Sequence, residues 1–203
     1  MTKEMSPRRA LVTGGSRGIG AAISRELAGS DIEVVVTART PESAAQAKFE
    51  CHSVDFSDAQ AVEVFAAEVT KMSIDILVNN AGINIISPFS QIKRDDFQVV
   101  QQVNLAAPMS LCQAVLPHMR ARNWGRIVNV TSVWAEVSKE KRASYSASKF
   151  GLIGLTKALA AEVSREGILA NCVSPGIIET DLTQEILGSE GIAALRREIP
   201  MGR

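Results

Sequence analysis

The sequence predicts an α/β protein with a three-layer, doubly wound parallel sheet in a single domain. Short apolar runs alternate along the chain with longer stretches in which apolar residues recur at helical spacing. The run Val34 to Val36 is apolar on both faces, as expected for a strand that is covered on both sides. A glycine-rich turn separates the first apolar run from the first helical stretch. These three observations favour parallel strands that are joined by right-handed helical crossovers.

The composition argues against several classes of function. The chain has 22 basic and 22 acidic residues and no basic run beyond Arg8 and Arg9, which disfavours nucleic-acid binding. Cys51, Cys112 and Cys172 are far apart and form no CxxC pair. We therefore predict packing roles for the three cysteines in a reducing compartment, with no disulfide framework and no metal site.

We expect residues 1–8 to be a flexible, polar N-terminal segment and residues 9–203 to form the domain. A length of 203 residues with 46% hydrophobic residues is enough for one well-buried domain. The only apolar run near the N-terminus is short and ends at Gly14, so it is neither a signal-peptide core nor a membrane span. We predict a cytoplasmic protein that does not bind a membrane.

The elements are predicted in order from apolar pattern and turn residues. The predicted strands are Ala10–Thr13, Glu33–Thr37, Cys51–Val54, Ile74–Val78, Gly125–Thr131 and Ile168–Val173. The predicted helices are Ala21–Ala28, Pro41–Lys48, Asp58–Lys71, Asp95–Arg122, Ala143–Glu166 and one or two over Asp181–Glu198, the last a candidate lid. In such a sheet, ligands bind at the carboxyl ends of the strands.

The glycine-rich turn lies between the first strand and the first helix. Glycines permit a tight turn that approaches a phosphate closely, and the helix N-terminus offers free N–H groups to it. The spacing is Gly-xxx-Gly-x-Gly, and its position predicts nucleotide binding. The residues assigned to the cofactor here are Gly14, Ser16, Arg17, Gly18, Ile19 and Gly20.

The end of the second strand favours NADP(H) over NAD(H). An NAD site usually places a carboxylate there, whereas this chain has Thr37, Ala38 and Arg39. Arg39 and Arg17 could pair with a 2′-phosphate, and the alternative is that both arginines are simply exposed to solvent. Asp55, after the third strand, is assigned to the adenine amino group.

Two further turns are predicted to border the cofactor. Asn79 and Asn80 offer amides to neighbouring strand ends or to a ribose, and Ala81 and Gly82 leave room beside them. Pro175-Gly176 forces a turn after the last strand. The residues assigned to the cofactor in these turns are Asn80, Ala81, Gly82, Pro175, Gly176, Ile178 and Thr180, the last two at the nicotinamide carboxamide.

The segment Ser144–Lys149 at the start of a predicted helix carries the proposed chemistry. Tyr145 and Lys149 are four residues apart, so they share a helix face. The ammonium is expected to lower the pKa of the phenol toward the working range of an acid–base catalyst. Ser132, at the end of the fifth strand, is expected to share a substrate oxygen with Tyr145.

Asn104 lies in the interior of a predicted helix, although asparagine prefers caps and turns. Its amide closes a local bend, its carbonyl holds a water near Lys149, or it does both. Gly151 and Gly154 are interpreted as small contact points on the helix that begins at Ala143. This helix and Asp95–Arg122 are also candidates for a subunit interface.

The motifs stand in a fixed order along the chain. They are Thr13 to Gly20, Asn79 to Gly82, Asn104, Ser132, Tyr145 with Lys149, and Pro175-Gly176 through Thr180-Asp181. Together they resemble the short-chain dehydrogenase/reductase family, and most closely its bacterial 3-oxoacyl-[acyl-carrier-protein] reductases. The resemblance implies a Rossmann-like fold, a homodimer or homotetramer, and NADPH-dependent reduction of a 3-oxoacyl thioester in fatty-acid synthesis.

The resemblance also implies a catalytic tetrad. In this family, Ser132 and Tyr145 would hold the ketone oxygen and Tyr145 would donate the proton. Lys149 would lower the pKa of Tyr145, bind the nicotinamide ribose and, through a water on the Asn104 carbonyl, restore the proton. Tyr145 and Lys149 would therefore contact the cofactor as well as the substrate.

The substrate remains open at this point. A basic patch of Arg122, Arg126 and Arg165 would suit an acyl carrier protein. Trp134 and Phe89, if they line the pocket, would favour a flat or apolar substrate, so a sugar, a steroid or another secondary alcohol is an alternative. A third alternative is an NADP-binding sensor without turnover.

The sequence departs from the family after Met201-Gly202-Arg203, where members continue into a further helix and strand. A chain that truly ended there would leave an open edge strand and an exposed apolar surface. We therefore expect the sequence to be incomplete at its C-terminus.

Overall fold

Six parallel strands form one sheet in the order β3-β2-β1-β4-β5-β6. The structure is a computed structural model that describes residues 7–178, 181–199 and 201. The strands are β1 Arg9–Val12, β2 Glu33–Ala38, β3 Glu50–Ser53, β4 Ile76–Asn79, β5 Gly125–Val130 and β6 Ile168–Val173. The predicted doubly wound parallel sheet is confirmed, with bounds shifted by at most two residues. Most of the segment 1–8 lies outside the described residues.

Seven α-helices cover the sheet in the described part of the chain. They are α1 Gly18–Ala28, α2 Pro41–Ala45, α3 Ala59–Val69, α4 Arg94–Gln101, α5 Ala107–Arg122, α6 Ala143–Val163 and α7 Asp181–Glu198. Asp58 caps α3 by accepting hydrogen bonds from the N–H groups of Gln60 and Ala61. Helix α7 is interrupted at Gly188, where φ is 63° and ψ is 177°, so it consists of two helical segments.

Alternation along the strands produces two hydrophobic clusters, one on each face of the sheet. Leu11, Leu77 and Ile127 belong to a cluster that includes residues of α3, α5 and α6. Their neighbours Val12 and Val78 belong to the other cluster, against α1. Because successive strand residues point to opposite faces, both faces of the sheet are buried. The result is three layers.

The predicted helix Asp95–Arg122 is one continuous helix with an irregular centre. Helix α4 leads into a π-helical segment, Gln102–Ala106, which leads into α5. By length and composition this helix could cross a membrane, but half of its most apolar window is buried inside the domain. Its packing against α3 and α6 is that of a core helix.

Helix α6 carries the two glycines that were predicted to be contact points. A Cβ on Gly151 would lie 3.0 Å from a methyl carbon of Leu105, so Gly151 permits a close contact. Gly154 is exposed, and a Cβ there would meet nothing within 4 Å. The prediction is therefore correct for Gly151 and wrong for Gly154 within one chain.

The three cysteines are free thiols. Cys112 is buried, as predicted, whereas Cys51 and Cys172 are only partly buried.

Candidate active site

A cavity of about 950 Å³ opens at the carboxyl ends of the strands. This is the edge of the sheet at which the sequence predicted ligand binding. The predicted cofactor residues that line it are Gly14, Ser16, Arg17, Gly18, Ile19, Arg39, Asp55, Asn80, Ala81, Gly82, Tyr145, Lys149, Pro175, Gly176 and Ile178. Thr180 lies outside the described residues. Gly20 does not line the cavity.

The glycine turn is held by hydrogen bonds to two neighbouring strands. Gly14 has φ of +62°, a conformation that favours glycine, and its N–H donates to the Thr37 hydroxyl at 3.0 Å. The Asn80 amide donates to the carbonyls of Thr13 at 2.9 Å and of Gly14 at 3.2 Å. A Cβ on Gly20 would collide with the Gly14 carbonyl oxygen. Gly20 therefore packs α1 closely against the turn, and its contact with the cofactor stays a prediction.

The N-terminus of α1 lies at this turn. The helix begins at Gly18, and the side chain of Arg17, the preceding residue, makes no capping hydrogen bond. A helix N-terminus with uncapped N–H groups attracts anions through those groups and through the helix dipole. The turn therefore fits the pyrophosphate of a dinucleotide.

Arg39 and Asp55 meet at one end of the cavity. The Asp55 carboxylate accepts hydrogen bonds from the Ser57 hydroxyl at 2.7 Å and the Ser57 N–H at 2.9 Å. These bonds, with a smaller contribution from the Arg39 charge, hold the pKa of Asp55 below its usual value. A carboxylate acceptor and a guanidinium thus stand where an adenosine with a 2′-phosphate would end.

The two amides at the end of β4 hold neighbouring strands. Asn79 is buried and donates to the side-chain oxygen Oδ1 of Asn129 at 2.8 Å, and the Asn129 side chain in turn donates to the Thr156 hydroxyl at 2.8 Å. Asn80 binds the turn after β1. Of the two predicted roles, contact with strand ends is the one seen. The sequence reasoning missed Asn129 and Thr156, whose positions gave no local signal.

Asn104 lies in the π-helical segment and is fully buried. Its side-chain oxygen accepts from the Ile83 N–H at 2.9 Å, while its amide donates to the Ile83 carbonyl at 2.9 Å and to the Ser148 hydroxyl at 3.0 Å. These bonds reach residues 21 and 44 positions away in the sequence, so they close no local bend in the helix itself. They instead tie the loop after Gly82 to helix α6.

Tyr145, Lys149 and Ser132 come together at the other end of the cavity. The Lys149 side chain donates to the Val130 carbonyl at 2.8 Å, and its ammonium lies 5.7 Å from the centre of the Tyr145 ring. The Ser132 hydroxyl lies close enough to the Tyr145 phenol to oppose the rise of its pKa. A Cβ on Gly82 would lie 3.3 Å from Asn104 Oδ1 and 3.5 Å from Lys149 Nζ, so glycine leaves this corner open.

Burial dominates the electrostatics of this cluster. Lys149 is 3% exposed, and burial lowers its pKa to about 8. Burial also raises the pKa of Tyr145, opposed by the hydrogen bond with Ser132 and by the charge of Arg142. The predicted lowering of the Tyr145 pKa by Lys149 is therefore wrong here. The cation that acts on Tyr145 is Arg142, which was missed although it stands one helical turn before Tyr145.

Of the residues proposed for substrate recognition, only Trp134 lines the cavity in the described part of the chain. Trp134 lines the cavity, whereas Phe89 is 83% exposed and lies outside it. Arg122 pairs with Asp75 at 3.3 Å, and Arg126 stacks on Trp124 at 4.4 Å. Arg126 belongs to the first residues of β5, at the edge of the sheet opposite the cavity. Within one chain, the predicted basic patch is therefore remote from the cavity.

Known proteins resemble this chain over nearly its whole length. The sequence model of the short chain dehydrogenase family matches residues 8–190. The 3-oxoacyl-[acyl-carrier-protein] reductase of Vibrio cholerae is 37% identical over 203 residues, which cover 96% of this chain and 82% of the relative. Gluconate 5-dehydrogenase of Gluconobacter oxydans is 37% identical over 211 residues, which cover 98% of this chain and 82% of the relative.

A solved structure has the same fold. It is a Beutenbergia cavernae protein with a provisional assignment as an NAD(P)-dependent gluconate 5-dehydrogenase, crystallised with NADP at low occupancy. It matches with a TM-score of 0.90 and 32% identity, covering 98% of this chain and 84% of that one. This chain therefore belongs to the short-chain dehydrogenase family and is a nicotinamide-dependent oxidoreductase with a Rossmann-like fold.

Proposed function

We propose that this protein catalyses the NADPH-dependent reduction of a ketone to a secondary alcohol. The observation that carries the proposal is the meeting of Tyr145, Ser132 and buried Lys149 in a cavity whose other end is a glycine turn. A proton donor and a dinucleotide cradle within one cavity are what carbonyl reduction requires.

The cofactor would lie along the strand ends. The N-terminus of α1 would hold its pyrophosphate, and Arg17 and Arg39 would bind the 2′-phosphate of NADP(H). Asp55 would accept a hydrogen bond from the adenine amino group. The nicotinamide end would contact Asn80, Ala81, Gly82, Lys149, Tyr145, Pro175, Gly176, Ile178 and Thr180. When bound, the nicotinamide supplies the hydride for the carbonyl carbon.

The chain's own residues would manage the proton. Ser132 and Tyr145 would donate hydrogen bonds to the ketone oxygen. As the carbon receives the hydride, the Tyr145 O–H proton passes to that oxygen, which leaves a phenolate beside the Lys149 ammonium. Lys149 then returns a proton to Tyr145 and is itself reloaded from solvent. Asn104 would hold the Gly82–Ile83 loop in place and offer its backbone carbonyl to a water in that relay.

Two substrate classes follow from the relatives. A 3-oxoacyl thioester, free or on an acyl carrier protein, is favoured by the reductase relatives, in which case the role is fatty-acid synthesis. A hydroxy acid of the gluconate type is favoured by relatives of similar identity and by the cation Arg142 in the cavity. We propose a cytoplasmic homodimer or homotetramer, with α5 and α6, which expose Met109 and Phe150, at the interface.

The function is tested by following the oxidation of NADPH with acetoacetyl thioester and with 5-keto-D-gluconate. Tyr145→Phe is expected to lower kcat about 10²- to 10⁴-fold without weakening NADPH binding, because only the proton donor is lost. Ser132→Ala should also lose activity. Its control is Ser146→Ala, since Ser146 bonds to Ser138 and does not line the cavity.

Equal turnover by Tyr145→Phe would overturn the mechanism. Binding of NADPH without turnover of any carbonyl compound would instead support a sensor. A lower KM for NADH than for NADPH would overturn the roles of Arg17 and Arg39.

A further inference from the structure

Arg142 is a cavity residue that the proton relay does not use. It immediately precedes α6 and stands three residues before Tyr145. Its side chain lines the cavity together with Tyr145, Trp134 and Asn84. Its charge reaches Tyr145, since it lowers the pKa of the phenol. Arg142 therefore lies at the substrate end of the cavity.

The Arg142 guanidinium is incompletely paired. Its Nη1 atom is buried and has no hydrogen-bond partner within the described part of the chain. An unsatisfied buried donor is costly, and the cost is greater for a charged group. A site that keeps such a donor is suited to a ligand that pairs with it.

A second residue that lines the same cavity also has a buried atom without a partner. The side-chain oxygen of Asn84, two residues after Gly82, is buried and also has no partner among the described residues. The substrate end thus offers one charged donor and one neutral acceptor. An anionic group satisfies the first, and a hydroxyl group satisfies the second.

No acidic side chain near Arg142 neutralises it within the described lining. The single carboxylate there is Asp55, which follows β3, whereas Arg142 belongs to the segment after β5. Four strand spacings separate these two strands, which is roughly 19 Å at about 4.8 Å per spacing. Among the described residues that line the cavity, no carboxylate therefore lies beside Arg142.

We propose that Arg142 binds the carboxylate of a small hydroxy or keto acid, and that Asn84 accepts a hydrogen bond from one of its hydroxyl groups. The inference rests on the proposed reductase function and specifies its substrate class. A guanidinium binds a carboxylate through two parallel hydrogen bonds, which also orients the carbon chain. A 3-oxoacyl thioester has neither a charge nor a hydroxyl group near its ketone, so it would neither neutralise the guanidinium nor donate a hydrogen bond to Asn84.

The test compares each keto acid with its own methyl ester, because the two differ mainly in charge. Suitable pairs are acetoacetate with methyl acetoacetate, and 5-keto-D-gluconate with its methyl ester. The wild-type enzyme should reduce the better acid with a kcat/KM at least tenfold above that of its ester. Arg142→Gln should raise KM for the acid about 10- to 100-fold, with little change for the ester, since a charged hydrogen-bonded pair is lost. Arg142→Lys should restore part of the preference.

The control is Lys141→Gln, which removes an exposed neighbouring cation that does not line the cavity. It should leave both kinetic constants unchanged. A binding measurement serves as an independent readout: with NADP⁺ present, calorimetry should detect gluconate but not sorbitol, its uncharged counterpart. Arg142→Gln should abolish the gluconate signal.

The possible outcomes distinguish failure of the proposed reductase function from failure of the proposed carboxylate site at Arg142. Reduction of esters and thioesters without a preference for acids would leave the reductase function standing and overturn the role of Arg142. If Arg142→Gln lowers kcat equally for acids and esters and shifts the pH profile, Arg142 acts on Tyr145, and the carboxylate site is wrong. Binding of NADPH without turnover of any ketone would overturn both.

Discussion

At the ends of β1, β2 and β3 the charged residues that line the cavity are exposed, whereas at the ends of β4 and β5 the cavity is lined by buried polar side chains. The first region, the cofactor half, is shaped by the glycine turn and the N-terminus of α1. The second, the catalytic half, contains Ser132, Tyr145 and Lys149, with Asn104 behind them. Exposed charges in the cofactor half remain hydrated and do not destabilise the fold. In the catalytic half the charge of Lys149 is buried, so a substitution there should raise stability while it lowers activity.

Lys149→Met should give the largest contrast, because it is expected to raise stability and lower activity. The pKa of Lys149 falls from 10.5 to about 8 in the folded protein, so folding disfavours its charged form. Below pH 8 this costs the wild-type protein about 3 kcal/mol, from which the lost bond to Val130 subtracts about 1 kcal/mol. The variant should therefore be more stable by about 2 kcal/mol at pH 7 and should turn over about 10²- to 10⁴-fold more slowly.

The pH dependence of the unfolding free energy tests whether the buried charge of Lys149 destabilises the folded protein. Between about pH 8 and 10.5 the unfolded chain binds more protons at this residue than the folded chain, so wild-type stability rises with pH and the variant's advantage shrinks. Urea unfolding at several pH values measures this. Lys157→Met, at an exposed position on the same helix, is the control and should show neither effect. A variant that is less stable than wild type at pH 7 would contradict the burial argument.

The same division explains what the sequence could predict. The glycine turn and the Tyr145–Lys149 pair depend on residues close together in the chain, so their spacing was informative. The burial of the catalytic residues depends on contacts between distant segments. Lys149 bonds Val130, 19 residues away, and Asn104 bonds Ser148, 44 residues away. No local pattern reports the burial that these contacts create. The unpaired atoms of Arg142 and Asn84 were unpredictable for the same reason.

Asn104→Leu should have the next largest effect. Leucine would leave the N–H and C=O of Ile83 without their partner and would remove the bond to Ser148. With about 1–3 kcal/mol for an unsatisfied buried group, we expect a loss of about 2–4 kcal/mol in the free energy of unfolding. Urea unfolding measures the loss, and activity should fall with it because the Gly82–Ile83 loop borders the cavity.

Asn171→Leu is the matched control for Asn104, since Asn171 is exposed on β6. It should change the unfolding free energy by less than about 0.5 kcal/mol. Equal effects of the two substitutions would mean that the amide of Asn104 does not hold the Gly82–Ile83 loop.

The smallest expected effects come from two glycines, Gly14 in the cofactor half and Gly154 on the exposed face of α6. Gly14→Ala should destabilise the protein by about 1–2 kcal/mol, because φ is +62° and the new Cβ would lie 3.2 Å from the Ala81 backbone. It should also weaken NADPH binding. Gly154→Ala should stabilise the protein by about 0.5–1 kcal/mol, because alanine favours the helix and the new methyl group meets nothing within 4 Å. Thermal unfolding and sedimentation measure both variants. A Gly154→Ala protein that loses stability and dissociates would show that a second subunit covers this face of α6. Gly154 would then permit a close contact between subunits.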